Sequence, residues 1–128
     1  MITGAHVLLY SDKADADRAF FSDVLGFSSV DAGRGWLIFK LPPAELAVHP
    51  AEKVGSEIGG GHRMLGTELY LMCDDLEALI KSLAAKNVTC TEVSRERWGI
   101  KTTIRLPSGG EIGLYQPTHP TALHLESD

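Results

Sequence analysis

The sequence predicts an α+β fold in which one short β-α-β-β-β module is used twice. Three observations predict it. The stretch GTELYLMCDDLEALIKSLAAKNV, residues 66–88, reads as a strand, a sharp cap and a helix. A weaker copy, GAHVLLYSDKADADRAFFSDVLGF, lies at residues 4–27. The two halves also close alike: LIFKLPPAELAVHP and TTIRLPSGGEIGLYQP each give a strand, a Pro turn, a Glu and then alternating apolar residues.

Taken in order, residues 5–10 are an apolar strand. His6, Leu8 and Tyr10 point to one face and Val7 and Leu9 to the other, because alternate strand side chains share a face. Asp12 is placed as an N-cap. Ala14, Phe20, Phe21, Val24 and Leu25 then repeat at helical spacing, and Gly26 supplies the left-handed residue that ends a helix at little cost. Strands follow at residues 27–31, 36–41 and 45–49. The Pro42-Pro43 pair makes the turn between the last two, and Pro50 ends the run.

Residues 51–66 read as a connector. The triplet Gly59-Gly60-Gly61 is too permissive to hold a fixed element by itself. It is either a linker between the halves or a flap over a site, with His62 and Arg63 as the flap's polar contacts. The second half then repeats the order. Residues 68–73 form a strand, Asp74 caps the next helix, and Glu77 takes the capping-box position. Leu76, Leu79, Ile80 and Leu83 make the buried stripe, and Asn87 takes the place Gly26 had. Strands at 89–94, 98–106 and 111–116 complete the module, with a turn at 107–110. The expected organisation is one domain over residues 1–128: a first module at about 4–50, the connector 51–66, a second module at about 67–117, and a polar tail 118–128 that frays.

Composition narrows the function classes. A chain of 128 residues is the size of one domain. The net charge is −5 with no basic stripe, which argues against nucleic acid as a partner. No run of about 18 apolar residues offers a membrane span, so no membrane partner is expected, and the N-terminus does not read as a signal peptide. Cys73 and Cys90 lack metal-type spacing, and Cys73 sits in an apolar strand. A reducing cytoplasm is the expected location. There is no phosphate loop and no nucleophile elbow, and the triglycine is not in a strand–loop–helix context.

Several residues read two ways. Trp36 and Trp98 open the long strands, either as core or as an aromatic wall for a flat or cationic ligand. Tyr10, Tyr70, Met72 and Tyr115 fall on the same face as His6 and Glu68, and their tips can both pack and hydrogen-bond. His6 on an apolar strand is either a hydrogen-bonded core histidine or a ligand. Glu68 is either solvated or, if buried, in need of a partner such as His6. His119 and His124 read as solvated tail.

The repeat resembles the vicinal oxygen chelate superfamily, the glyoxalase, bleomycin-resistance and extradiol dioxygenase group. The resemblance rests on VLLYSDKADADRAFFSDVLGF, ELYLMCDDLEALIKSLAAKNV and RLPSGGEIGLYQP in that order, and it spans residue 4 to about 117. It implies paired modules whose sheets curl into a cup, with the ligand held by cup-facing strand residues. In metal-using members the first and last strand of each module each give one ligand. His6 and Glu68 match the first-strand positions; the last-strand positions fall at Ala47 and Gly113, neither of which offers a side-chain ligand. His49, two residues from Ala47 on the same face, would complete a set with His6 and Glu68 for zinc, nickel, iron or manganese. Glu45 flanks Ala47 on the other side.

The resemblance therefore implies a small organic molecule bound in the cup by a bleomycin-resistance-type protein whose metal site is incomplete. The ligand-binding set is His6, Tyr10, Trp36, His49, Tyr70, Met72, Trp98 and Tyr115. The alternative is a divalent-metal-dependent lyase, isomerase or dioxygenase, with Glu68 as ligand or general base. A scaffold for protein interaction is the third reading. The resemblance also implies a homodimer, in keeping with the sheet edges left open in so short a chain.

Overall fold

A computed structural model describes residues 1–50, 56–58 and 62–125. The class is α+β, with α1 (Ala14–Asp23), β1 (Ser29–Asp31), β2 (Leu37–Phe39), β3 (Ser56–Ile58), β4 (His62–Met64), β5 (Tyr70–Met72), α2 (Leu76–Ala84), β6 (Ser94–Glu96), β7 (Gly99–Arg105) and β8 (Glu111–Pro117). The chain divides into two compact units, residues 1–40 with 105–111 and residues 41–104 with 112–128.

The first unit is built on aromatic packing. Phe20 and Phe21 are the buried apolar residues of α1. The Phe21 ring lies 5.7 Å from Phe27 and 5.8 Å from Phe39, which ties the helix to the antiparallel β1–β2 hairpin. Asp17, on the same helix, is 7% exposed and accepts hydrogen bonds from the Ser108 amide at 2.9 Å and the Ser108 hydroxyl at 2.7 Å. A buried carboxylate is thus satisfied by the turn after β7, as burial of a charge requires. Gly26 has φ +73, the left-handed stop its position predicts.

The second unit is a mixed four-stranded sheet, ordered β5-β8-β7-β6, and helix α2. Strands β5 and β8 are parallel, with Tyr70 opposite Gly113 and Met72 opposite Tyr115; β6 and β7 are antiparallel. Leu76 and Leu83 of α2 are buried, as are Val88, Ile104, Ile112 and Leu114. Asp75 is the N-cap of α2, accepting from the Ala78 amide at 3.0 Å, and Gln116 of β8 accepts from the Leu76 amide at 3.0 Å. At the far end Asn87 has φ +63, and the Val88 and Asn87 amides close back on Leu83 and Ala84.

The structure departs from the sequence reading in five places, one being the strand expected at 89–94, where Cys90 makes only an isolated bridge to Ile104 and the strand itself is shifted to Ser94–Glu96. Residues 5–10 and 45–49 enter no strand, and apart from the half-buried Glu45 they are exposed. A strand exists only where its backbone groups find a ladder partner, and neither segment has one among the described residues. The cap of α2 is Asp75 rather than Asp74, because Asp75 holds the extended backbone that an N-cap needs. At α1 the cap position is Lys13, with no side-chain capping bond. Finally, the connector holds a short antiparallel hairpin, β3–β4, in which Ser56 faces Met64 and Ile58 faces His62. The triglycine lies outside the described residues, and so do the side chains of His62 and Arg63.

Candidate functional site

Register places the site. On β5 and β8 the residues Tyr70, Met72, Gly113 and Tyr115 share one face, since parallel partners point the same way. Gly113 has no side chain, and the Tyr70 ring fills the space above it: a Cβ at 113 would fall 2.8 Å from Tyr70 Cγ and closer still to Cδ1 and Cε1. Gly99 plays a related part on β7. A Cβ there would meet the Gln116 carbonyl oxygen at 2.7 Å and the Tyr115 ring at 3.1 Å. The close approach that glycine allows brings the preceding residue, Trp98 of the β6–β7 turn, against Tyr115.

The result is three mutually perpendicular rings. Trp98 and Tyr115 lie 5.3 Å apart at 79°, Tyr70 and Tyr115 5.6 Å apart at 85°, and Tyr70 and Trp98 6.3 Å apart at 90°. Edge-to-face pairs of this kind add about 0.5–1.5 kcal/mol each beyond the area they bury. The turn carrying Trp98 is pinned by Thr118, whose amide donates to the Trp98 carbonyl and whose hydroxyl donates to that of Arg97. Lys101 holds its ammonium 5.3 Å from the Trp98 ring centre.

His119 and Glu45 complete one side. The His119 ring stacks on Tyr115, 6.0 Å between centres, and its Nε2 lies 3.2 Å from the Tyr115 hydroxyl. Nδ1 lies 2.7 Å from the Pro120 carbonyl oxygen. Glu45 places Oε2 3.8 Å from His119 Nε2, while its Oε1 accepts from the Ala122 amide at 2.7 Å. Burial, and then the charge and hydrogen bonding of Glu45, push the Tyr115 phenol up from its ordinary value, so it stays protonated at neutral pH. The segment 117–122 is therefore bonded to Glu45 and to the β6–β7 turn, and His119, which sequence reasoning placed in solvent, joins the candidate site. The available signal was its position two residues beyond β8.

Of the sequence candidates, Tyr70, Trp98 and Tyr115 come together. Met72 lies beside them on β5 and lines a shallow hollow of about 460 Å³ with Cys73, Gln116 and Leu123. A second hollow of the same size lies over Ile80, Val88 and Cys90. Neither hollow contains the three rings, of which Trp98 is exposed, Tyr70 half-buried and Tyr115 buried. Trp36 belongs to the first unit, where the Arg18 guanidinium covers it at 4.6 Å. His6 and Tyr10 are exposed in the irregular N-terminal stretch, His49 is exposed after Glu45, and Glu68 is exposed just before β5.

At Gly113 the room for a ligating side chain is taken by the Tyr70 ring. Among the described residues no three His, Cys, Asp or Glu side chains gather as an ion would need.

No family model and no curated protein matches the chain. Solved structures do match in fold. TnmS3, an antibiotic binding protein from Streptomyces sp. CB03234, is 23% identical at a TM-score of 0.57, over 92% of this chain and all of that one. Lactoylglutathione lyase from Agrobacterium tumefaciens is 19% identical at 0.60, over 89% and 92%. A member of the glyoxalase/bleomycin resistance protein/dioxygenase superfamily from Sphaerobacter thermophilus is 25% identical at 0.57, over 90% and 98%. The likeness read from the repeat is thus a likeness of fold along nearly the whole chain.

Proposed function

We propose that this chain, which carries the glyoxalase/bleomycin resistance/dioxygenase fold, holds a small organic molecule against the Tyr70–Trp98–Tyr115 wall without a metal ion. The observation that carries the reading is the Tyr70 ring lying over Gly113. A β8 position where the fold's metal-using members carry a ligand is given to an aromatic surface instead. Aromatic walls with a few polar tips are how proteins hold flat organic molecules. The similarity to an antibiotic binding protein supports binding as the task.

The same reading has the protein work as a homodimer in a reducing cytoplasm. Residues 5–10 and 45–49 are apolar and strand-like in pattern, yet they enter no ladder. Leu8, Tyr10, Leu46 and Val48 are 61–90% exposed. Unpaired apolar strands invite a second chain. Cys73 and Cys90 are both free thiols, in keeping with that compartment.

Thermal melts across a panel of planar metabolites and natural products, run with a chelator, test the binding reading. One compound class should raise the melting temperature, because a ligand that binds only the folded state stabilises it. A stoichiometric transition metal in protein purified without chelator would overturn the metal-free reading.

A further inference from the structure

Strands β5 and β8 run parallel, with Met72 opposite Tyr115, and then part: β5 leads into α2 and β8 into the tail. Where they part lies the hollow of about 460 Å³ lined by Met72, Cys73, Asp74, Gln116, Pro117 and Leu123. In open α/β sheets the crevice beyond the carboxyl ends of parallel strands, where the connections diverge, is the usual place for a ligand. The volume is that of a small-molecule site. The tail wall is held in place. The Ala122 amide donates to Glu45 Oε1 at 2.7 Å, next to Leu123, and the Thr118 hydroxyl donates to the Arg97 carbonyl at 3.0 Å.

The polar groups of the wall decide the charge of what it takes. A helix N-terminus draws anions through its free amides. Here the Leu76 amide already donates to Gln116 Oε1 and the Ala78 amide to Asp75, both at 3.0 Å. The Cys73 amide and thiol both turn to the Tyr115 carbonyl oxygen, at 2.9 Å and 3.6 Å. The Gln116 side-chain nitrogen remains as a donor, and it is neutral. Asp74 carries the wall's charge. It is exposed, takes no part in the cap, and meets no cation among the described residues. Met72, Pro117 and Leu123 make the rest of the lining apolar.

We propose that this hollow binds a small primary amine, with its apolar body against Met72, Pro117 and Leu123 and its ammonium at Asp74. Such a molecule complements both parts of the lining. An anion of the same shape would meet Asp74, and Asp75 beside it in the chain, with like charge. The hollow contains none of the three rings, so the inference stands apart from the binding reading above.

The test is an NMR titration of the whole chain at neutral pH, followed at the backbone amides. The probes are cyclohexylmethylamine and cyclohexylmethanol, which share a shape and differ in charge. The amine should move the Cys73, Asp74, Gln116 and Leu123 resonances. It should bind about threefold or more tightly than the alcohol, the scale of an ion pair open to water, and that advantage should shrink as salt is raised. Asp74→Asn leaves the cap at Asp75 in place and should bring the two probes together; a melt shows whether the variant folds. Leu123→Ala should weaken both probes alike. Equal binding of the two probes by the wild type, a preference that survives in Asp74→Asn, or no binding would overturn the inference. So would shifts confined to Trp98 and Tyr115, which would put the amine on the aromatic wall instead.

Discussion

The Tyr70 ring occupies the volume that any side chain at Gly113 would need. The two residues are register partners on parallel strands, so neither can move without disturbing the ladder. Gly113→Ala should therefore destabilise the fold by about 1–3 kcal/mol, the usual cost of overpacking. Adding Tyr70→Ala to Gly113→Ala should relieve the clash, so the double variant should melt higher than the sum of the single losses predicts. Simple additivity in a double-mutant cycle would show that the ring does not sit there.

Asp17 and Ser108 give a pH prediction. Burial raises the Asp17 carboxyl, but hydrogen bonds from Ser108 and Ser11 outweigh it and hold the group below its ordinary value of 3.8. A carboxyl lowered by folding contributes stability above its unfolded pKa and loses it as pH falls through the folded one. Asp17→Asn should cost about 2 kcal/mol at pH 7, the scale of hydrogen bonds to a charged group. The gap between variant and wild type should close below pH 3.8. A gap that stays constant down to pH 2 would refute the carboxylate's role.

The cap of α2 separates two neighbouring aspartates. Asp75→Ala should lower stability by about 1 kcal/mol, while Asp74→Ala should leave it within about 0.5 kcal/mol. Equal losses in chemical denaturation would mean that the helix begins elsewhere.

Assembly can be read by light scattering. At micromolar concentration the mass should be twice the 13.9 kDa of the chain. Val48→Asp, at an exposed apolar site, should shift the mass toward the monomer without unfolding the chain. A wild-type monomer would refute the dimer.

What the sequence made legible was local. The helix stops at Gly26 and Asn87 could be read because left-handed residues end helices wherever they stand. The hairpin ending and the grouping of Tyr70 with Tyr115 followed from period-two alternation and the repeat, whereas the parallel pairing of β5 with β8 came only with the structure. What was missed depends on distant partners. Nothing near His119 in sequence points to Glu45, and the Glu45–Ala122 bond that seats the tail spans 77 positions. The strands expected at 5–10 and 45–49 have the right pattern, but pattern does not supply a ladder partner. Trp36 and Trp98 looked alike in sequence, and only packing set one under Arg18 and the other against Tyr115.

The most direct test of a metal-free aromatic site is one titration: calorimetry, in EDTA, of the compound that raises the melting temperature most, against wild type and Trp98→Ala. The account predicts one ligand per chain, an affinity unchanged by EDTA, and at least a tenfold loss in Trp98→Ala, about 1.4 kcal/mol. Binding abolished by EDTA, or indifferent to the loss of Trp98, would contradict it.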